Sequence, residues 1–282
     1  MSRAMSVSVV QLGPLNFSVA EAGRGGRPLL LVHGFTGAKE DFADWMVSLA
    51  DQGWWAVAPD LRGHGASDKP MDEASYSLAT FAVDLLALVD HLGWDRFALL
   101  GHSMGGMIAQ EVVLDHPSRI ERLVLMDTNH GPAEGLDAET VALGLEVLRT
   151  QGLPALLDLI DELQVYERSP SDERVRATRP GYIEWSEEKV RVSSPAMYAA
   201  MAVQLTSRPD RLAELAGLAI PTRVLVGEED VNFLGASRRM ADAMVSADLV
   251  VIADAAHCPQ IENPEGWWQA VAPFLAAAHL VD

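Results

Sequence analysis

Short apolar runs alternate with helical patterns along most of the chain. Val7 to Gln11 and Leu15 to Ala22 carry strand patterns on either side of the Gly13-Pro14 turn pair, which predicts an antiparallel opening. Pro28 to Val32 is almost wholly apolar, as a strand buried on both faces of a parallel sheet requires. Asp41 to Ala50 has helical spacing, and Trp54 to Ala58 reads as the next strand. Ser77 to His91 sets Leu78, Phe81, Leu85, Leu88 and Val89 on one helical face before Gly93 ends it. Phe97 to Leu100 and Arg122 to Met126 are further strands, with helical spacing from Met107 to Leu114 between them.

After Met126 the alternation stops. Residues 128–207 hold the helical patterns Thr140 to Arg149, Pro154 to Tyr166, Gly181 to Val192 and Pro195 to Leu205, and no convincing strand. Structureless loops rarely exceed ~15 residues, so this stretch is expected to be an inserted helical cap. Thr222 to Val226 resumes the strands, Gly235 to Met244 is a helix, Asp248 to Ile252 the last strand and Pro264 to Ala277 the closing helix. Strands alternating with helices imply right-handed crossovers in a parallel sheet. The pattern thus predicts an α/β core from residues 1–127 and 208–282, a mostly parallel sheet of eight strands flanked by helices, interrupted by a cap over 128–207.

Composition narrows the function more than the fold. With 282 residues, 49% hydrophobic and 22% charged, the chain can bury a large core. A formal net charge of -19 would repel phosphate backbones and anionic membranes, which argues against nucleic-acid and membrane partners. The single cysteine, Cys258, excludes an intrachain disulfide framework and fits a reducing compartment. Met1 to Val10 has no unbroken signal-peptide core, and Trp267 to Val281 is broken by Gln269, Pro273 and His279, so a cytoplasmic protein without a membrane span is expected.

The chemistry gathers at Gly101-His102-Ser103-Met104-Gly105. A G-x-S-x-G pattern alone recurs by chance in roughly one chain of this length in ten. Here an apolar strand enters it and a helical pattern leaves it, so Ser103 sits on a strand-to-helix turn. Such a turn lifts the hydroxyl above the sheet edge and brings the chain so close to itself that the positions two before and two after must be small. Unpaired N–H groups at the start of the next helix, that of Met104 first, would stabilise an oxyanion beside the serine.

In this arrangement the chain resembles the α/β-hydrolase family, whose nucleophile elbow has this form. The family's order of Ser, acid, then His implies His257, in the loop after the last strand, as the base. It also points to Glu228-Glu229-Asp230 after the preceding strand for the acid. The resemblance favours Asp230, three residues after the Gly that ends that strand, while Asp127 occupies a second position from which some members supply it. His33-Gly34-Phe35 is similar to the family's H-G-x loop and implies the N–H of Phe35 as second oxyanion donor beside Met104. Asp60 to Gly65 is similar to its D-x-R-G-x-G loop, so Asp60, Arg62 and His64 are expected to brace the site by hydrogen bonds. Asn263 is the better cap for the closing helix, which leaves His257 without that structural role.

Other chemistries find no support. No phosphate-loop, dinucleotide or metal-ligand spacing occurs, so neither cofactor nor metal is expected. Cys258 reads as a small buried apolar residue rather than a nucleophile. The family resemblance implies a cofactor-free serine hydrolase cleaving a small ester or lactone through an acyl-enzyme on Ser103. Carbon–carbon bond hydrolysis, cofactor-free peroxidase activity or a slow-turnover ligand-binding receptor are the alternatives on the same three residues. Relatives that cut epoxides or carbon–halogen bonds use Asp where this chain has Ser103. The cap's apolar side chains, Trp185, Met197 and Met201 among them, are expected to contact substrate.

Overall fold

The computed structural model describes residues 4–133, 138–163 and 168–277. Its strands are β1 (Ser6–Leu12), β2 (Leu15–Ala22), β3 (Arg27–Val32), β4 (Trp54–Pro59), β5 (Phe97–His102), β6 (Ile120–Met126), β7 (Thr222–Gly227) and β8 (Ala247–Ile252). They form one eight-stranded sheet in the order β1-β2-β4-β3-β5-β6-β7-β8. β1 and β2 pair antiparallel, as do β2 and β4, and every pairing from β4 onward is parallel.

Two buried faces explain the apolar runs. Leu30, Val32, Val57, Leu99, Leu123 and Val224 point to one side, against α2 (Leu78–His91) and α3 (Met104–Asp115). Their alternates Leu29, Leu31, Leu100, Val124 and Leu225 point to the other, against α1 (Ala43–Asp51) and the last helix, whose Trp267, Val271 and Leu275 are wholly buried. Leu99 has no exposed surface, so Leu99→Ala would cost about 2–5 kcal/mol.

Between β6 and β7 the described residues form α4 (Ala138–Gln151), α5 (Leu153–Glu162), α6 (Pro170–Thr178), α7 (Tyr182–Arg191), α8 (Pro195–Ser207) and the short α9 (Leu212–Ala216). Leu148, Leu153, Leu156, Met197 and Met201 join α4, α5 and α8 to the main core. The α6–α7 pair is held differently, by a small cluster of Val175, Tyr182 and Ile261 and by the ion pairs Lys189–Asp41 (2.7 Å) and Arg179–Asp44 (2.9 Å).

The chain closes with α10 (Val231–Ala243), α11 (Pro259–Glu262) and α12 (Pro264–Ala276). Asn263 caps α12 by accepting the Gly266 N–H at 3.0 Å.

Three helices escape the sequence pattern. α6 buries only Ser171 and Val175, too narrow a stripe to register as amphipathic, although Ser169 caps it and Pro170 opens it. α9 and α11 are too short to show a period. α10 begins four residues before the expected Gly235, because its first residue, Val231, is 77% exposed and breaks the apolar spacing. The expected helix end at Tyr166 and the outer ends of the segments 1–127 and 208–282 lie outside the described residues. No described helix is long and apolar enough to cross a membrane.

Candidate active site

β5 passes into α3 through Ser103, whose φ of 55° and ψ of -119° lie where a side chain is strained by roughly 1–3 kcal/mol. Close approach explains the flanking glycines. A Cβ on Gly101 would stand 2.3 Å from the carbonyl oxygen of Gly105, and one on Gly105 would stand 2.3 Å from that of Val32. Neighbouring backbone then holds the turn: the Ser103 N–H donates to Met126 O (2.9 Å), and Thr128 Oγ1 donates to Ser103 O (2.7 Å).

His257 reaches this serine from the loop after β8. Its Nε2 accepts from Ser103 Oγ at 3.0 Å, and its Nδ1–H donates to Asp230 Oδ2 at 2.7 Å. Asp230 stands at the N-cap of α10 yet makes no side-chain cap bond, its carboxylate being turned to the imidazole. A Cβ on Gly227 would stand 2.1 Å from Ala256 O, so the end of β7 and the His257 loop touch, which brings acid and base within reach of each other. Burial is the largest influence on the His257 pKa and pulls it down. The charge and hydrogen bond of Asp230, with the charge of Glu262, outweigh it and leave the imidazole above its ordinary value.

The structure therefore brings Ser103, His257 and Asp230 into one hydrogen-bonded line. Asp127, the alternative expected from the sequence, is wholly buried behind it, with Oδ1 accepting the Gly227 N–H at 2.9 Å. A carboxylate, an imidazole and a hydroxyl in this order can take up the hydroxyl proton as the oxygen attacks an electrophile.

Phe35 and Met104 also lie at Ser103. A Cβ on Gly34 would stand 3.1 Å from Ser103 Cβ, so the loop from His33 to Gly37 runs directly beside Ser103. Neither the Phe35 nor the Met104 N–H makes a hydrogen bond among the described residues. Asp60 and His64 brace this loop: Asp60 accepts from the Lys39 N–H (2.9 Å) and pairs with its Nζ (2.8 Å), while His64 Nε2 lies 2.8 Å from Phe35 O. Burial and the nearby His33 push the His64 pKa down to about 3, so the ring stays neutral. Arg62 turns away to Asp84 of α2 (2.5 and 2.6 Å) and to Ser75 O, tying the 61–65 loop to that helix.

Of the three cap residues, Met197 and Met201 have no exposed surface and touch packing neighbours, Met197 lying against Gly63. Trp185 is partly buried and carries Lys189 Nζ 4.0 Å above its ring. Tyr198 of the same segment lays its ring 4.4 Å from that of Phe35.

Several contributors have no short-range signal in the chain. Glu262 Oε2 accepts the N–H groups of Ala256 (2.6 Å) and Cys258 (3.2 Å), gripping the His257 loop from both sides. Arg174 of α6 donates to Asp254 O (2.7 Å) and Glu262 O (3.1 Å), and the Ser171 N–H donates to Glu229 Oε2 (2.9 Å). One helix outside the sheet therefore touches both the segment that holds Asp230 and the segment that holds His257. His102 Nε2 donates to His257 O (2.6 Å), and Phe233 lays its ring 4.8 Å from the imidazole. Cys258 is half-buried rather than buried, and packs against the cluster of Val175, Tyr182 and Ile261. Burial, then Glu262, raises its thiol well above the ordinary value, which makes it a poor thiolate.

Among the described residues, the group of three or more ligand-type side chains close enough to hold a metal ion is Asp127, Asp230 and His257. Both nitrogens of His257 are already engaged, by Asp230 and Ser103, so a metal there would break the line.

The family model described as "alpha/beta hydrolase fold" matches residues 27–264. A 3-oxoadipate enol-lactonase of Acinetobacter baylyi is 26% identical over 91% of this chain and 91% of its own. A 2-hydroxymuconate semialdehyde hydrolase of Pseudomonas sp. strain CF600 is 30% identical over 90% of this chain and 88% of its own. Among solved structures, a thermophilic esterase from Thermogutta terrifontis superposes with a TM-score of 0.81 at 29% identity, covering 96% of this chain and 98% of its own.

Proposed function

The chain belongs to the α/β-hydrolase fold family and is a hydrolase, and we propose that it cleaves a carboxylic ester or lactone of a small apolar substrate through an acyl-enzyme on Ser103. The observation that carries this reading is the line from Ser103 Oγ through His257 to Asp230, at 3.0 and 2.7 Å. His257 Nε2 takes the Ser103 proton as Oγ bonds to the substrate carbonyl carbon. The carbonyl oxygen becomes an oxyanion facing the Met104 and Phe35 N–H groups, at the positive end of α3. When the carbon–oxygen bond to the leaving group breaks, the imidazolium returns its proton to the departing alkoxide. A water then repeats the sequence on the acyl-enzyme and restores the Ser103 hydroxyl. Asp230 holds the Nδ1–H tautomer throughout and stabilises the imidazolium without taking its proton.

Residues 128–207 serve in this reading as a cap over the carboxyl ends of the strands, where open α/β sheets bind ligands. Of the cap side chains, Trp185, Met197 and Met201 are read as the apolar wall for substrate, and Tyr198 joins them through its ring contact with Phe35. The single Cys258 fits a cytoplasmic setting, where it stays a thiol.

The test is a series of nitrophenyl esters and lactones, with a fluorophosphonate label to mark Ser103. Labelling and turnover that favours medium apolar acyl groups over acetate support the reading, since each buried methylene contributes up to ~0.8 kcal/mol. The absence of both signals would sink it. The likeness to the 2-hydroxymuconate semialdehyde hydrolase keeps carbon–carbon bond hydrolysis as the second reading. Turnover of a vinylogous diketone by a protein that labels at Ser103 yet leaves all esters intact would favour that one.

A further inference from the structure

Two carboxyl groups, not one, stand behind His257. A carboxyl oxygen of Asp127, one of Asp230 and a ring nitrogen of His257 all lie within 4.8 Å of one another. Asp127 is fixed in place. It follows β6 in a left-handed backbone conformation (φ 45°), its N–H donates to Leu225 O (2.8 Å), and its Oδ1 accepts from the Gly227 N–H. Its Oδ2 is buried and has no hydrogen-bond partner among the described residues. Such an oxygen, if ionised, would face the Asp230 carboxylate, and two like charges so close and so buried do not both persist.

We propose that Asp127 is a positioning residue that stands behind Asp230 as a neutral carboxylic acid, its Oδ2–H donating to the Asp230 carboxylate and holding that carboxylate in line with His257. The proposal rests on the reading of Asp230 and His257 as acid and base. The proton belongs on Asp127 because Asp230 already accepts the His257 Nδ1–H and gains further when the imidazole becomes charged, whereas Asp127 has one backbone N–H for support. The other titratable groups on this side do not favour its ionisation. Glu262 of α11 is an acid, Cys258 is a neutral thiol, and His102 of β5 is kept neutral by burial and by His257. Burial is the largest cause, followed by the Asp230 charge, of an Asp127 pKa raised well above the ordinary carboxyl value. This arrangement also explains how a chain can carry both of the family's acid positions without the two competing for the imidazole: one is the ion, and the other is its hydrogen-bond donor.

The experiment is the titration of His257, followed by its imidazole NMR signals in a Ser103→Ala background, with and without Asp127→Asn. An amide has the shape of the protonated acid. It keeps an acceptor for Gly227 and a donor for Asp230, so no charge is lost and the His257 pKa should stay within about 0.3 unit. A fall of about one unit or more on Asp127→Asn would mean that a negative charge had been removed, and would overturn the proposal. In the wild-type protein at neutral pH, the infrared spectrum should contain the C=O stretch of a buried carboxylic acid that Asp127→Asn abolishes. Its absence from the wild type overturns the proposal even if the variant does not fold. No substrate is used, so the expected titration in a protein inactive on every ester would support this pair while sinking the ester reading.

Discussion

The elbow around Ser103 and the paired loops around Asp230 and His257 meet within hydrogen-bond distance, yet they are built in opposite ways. The elbow is local: five consecutive residues, with glycines at both ends, force the strand-to-helix turn, and a Cβ at either glycine would come within 2.3 Å of a backbone oxygen. The loops are held from afar. Glu262 grips the backbone on both sides of His257, Arg174 of α6 ties down Asp254 and Glu262, and Asp127 sits behind Asp230. Ser103 is thus placed by neighbouring sequence, whereas His257 and Asp230 need contacts from elements distant in the chain.

The sharpest way to test that contrast is to remove the local side. Ser103→Ala should lower ester turnover by between about 10³- and 10⁶-fold while the fold persists, because the strained backbone does not depend on the hydroxyl. Turnover within tenfold of wild type, by a short-chain nitrophenyl ester assay, would remove the elbow from the mechanism.

On the distant side, Asp230→Asn should cost about 10³–10⁴-fold, since an amide favours the wrong imidazole tautomer. Asp127→Asn should stay within about tenfold, as a neutral donor replaced by another. The reverse ranking in kcat would hand the acid's role to Asp127.

Glu262→Gln tests the loop's electrostatics with its shape nearly kept. The Glu262 charge helps to hold the His257 pKa up, so the acid limb of the pH–rate profile, expected above the ordinary histidine value of about 6.5 in the wild type, should move down by up to about a unit. The sign follows from the base being active when neutral: a lower pKa extends activity to lower pH, and an upward shift would contradict the assignment of charge to Glu262.

The smallest effect is expected at α6. Arg174→Ala removes two hydrogen bonds to loop carbonyls but touches no reacting atom, so kcat/KM should fall by about two- to fivefold and Tm by about 2 °C. A loss as large as that of Asp230→Asn would show that the loop's anchoring lies in α6 more than in Glu262.

Much of this was written in the chain itself. Apolar runs at Pro28 to Val32, Phe97 to Leu100 and Thr222 to Val226 announce strands because a sheet covered on both faces accepts little else, and all three lie in parallel pairings. G-x-S-x-G places Ser103 because its steric demand is confined to neighbours. The position of His257 after the last strand was legible through the family's chain order. What the tertiary structure alone decided has a common cause, namely interaction between residues far apart in sequence. α6 leaves almost no apolar trace, since apart from Val175 it docks through Arg174 and Ser171 against loops 80 and 58 residues away. Met197 and Met201, apolar and lid-borne in the sequence, are driven into the core by their neighbours. Asp127 and Asp230 are separate acids on paper. Only the closure of β6 against β7 brings them together, and in that buried space the two can no longer both hold a charge.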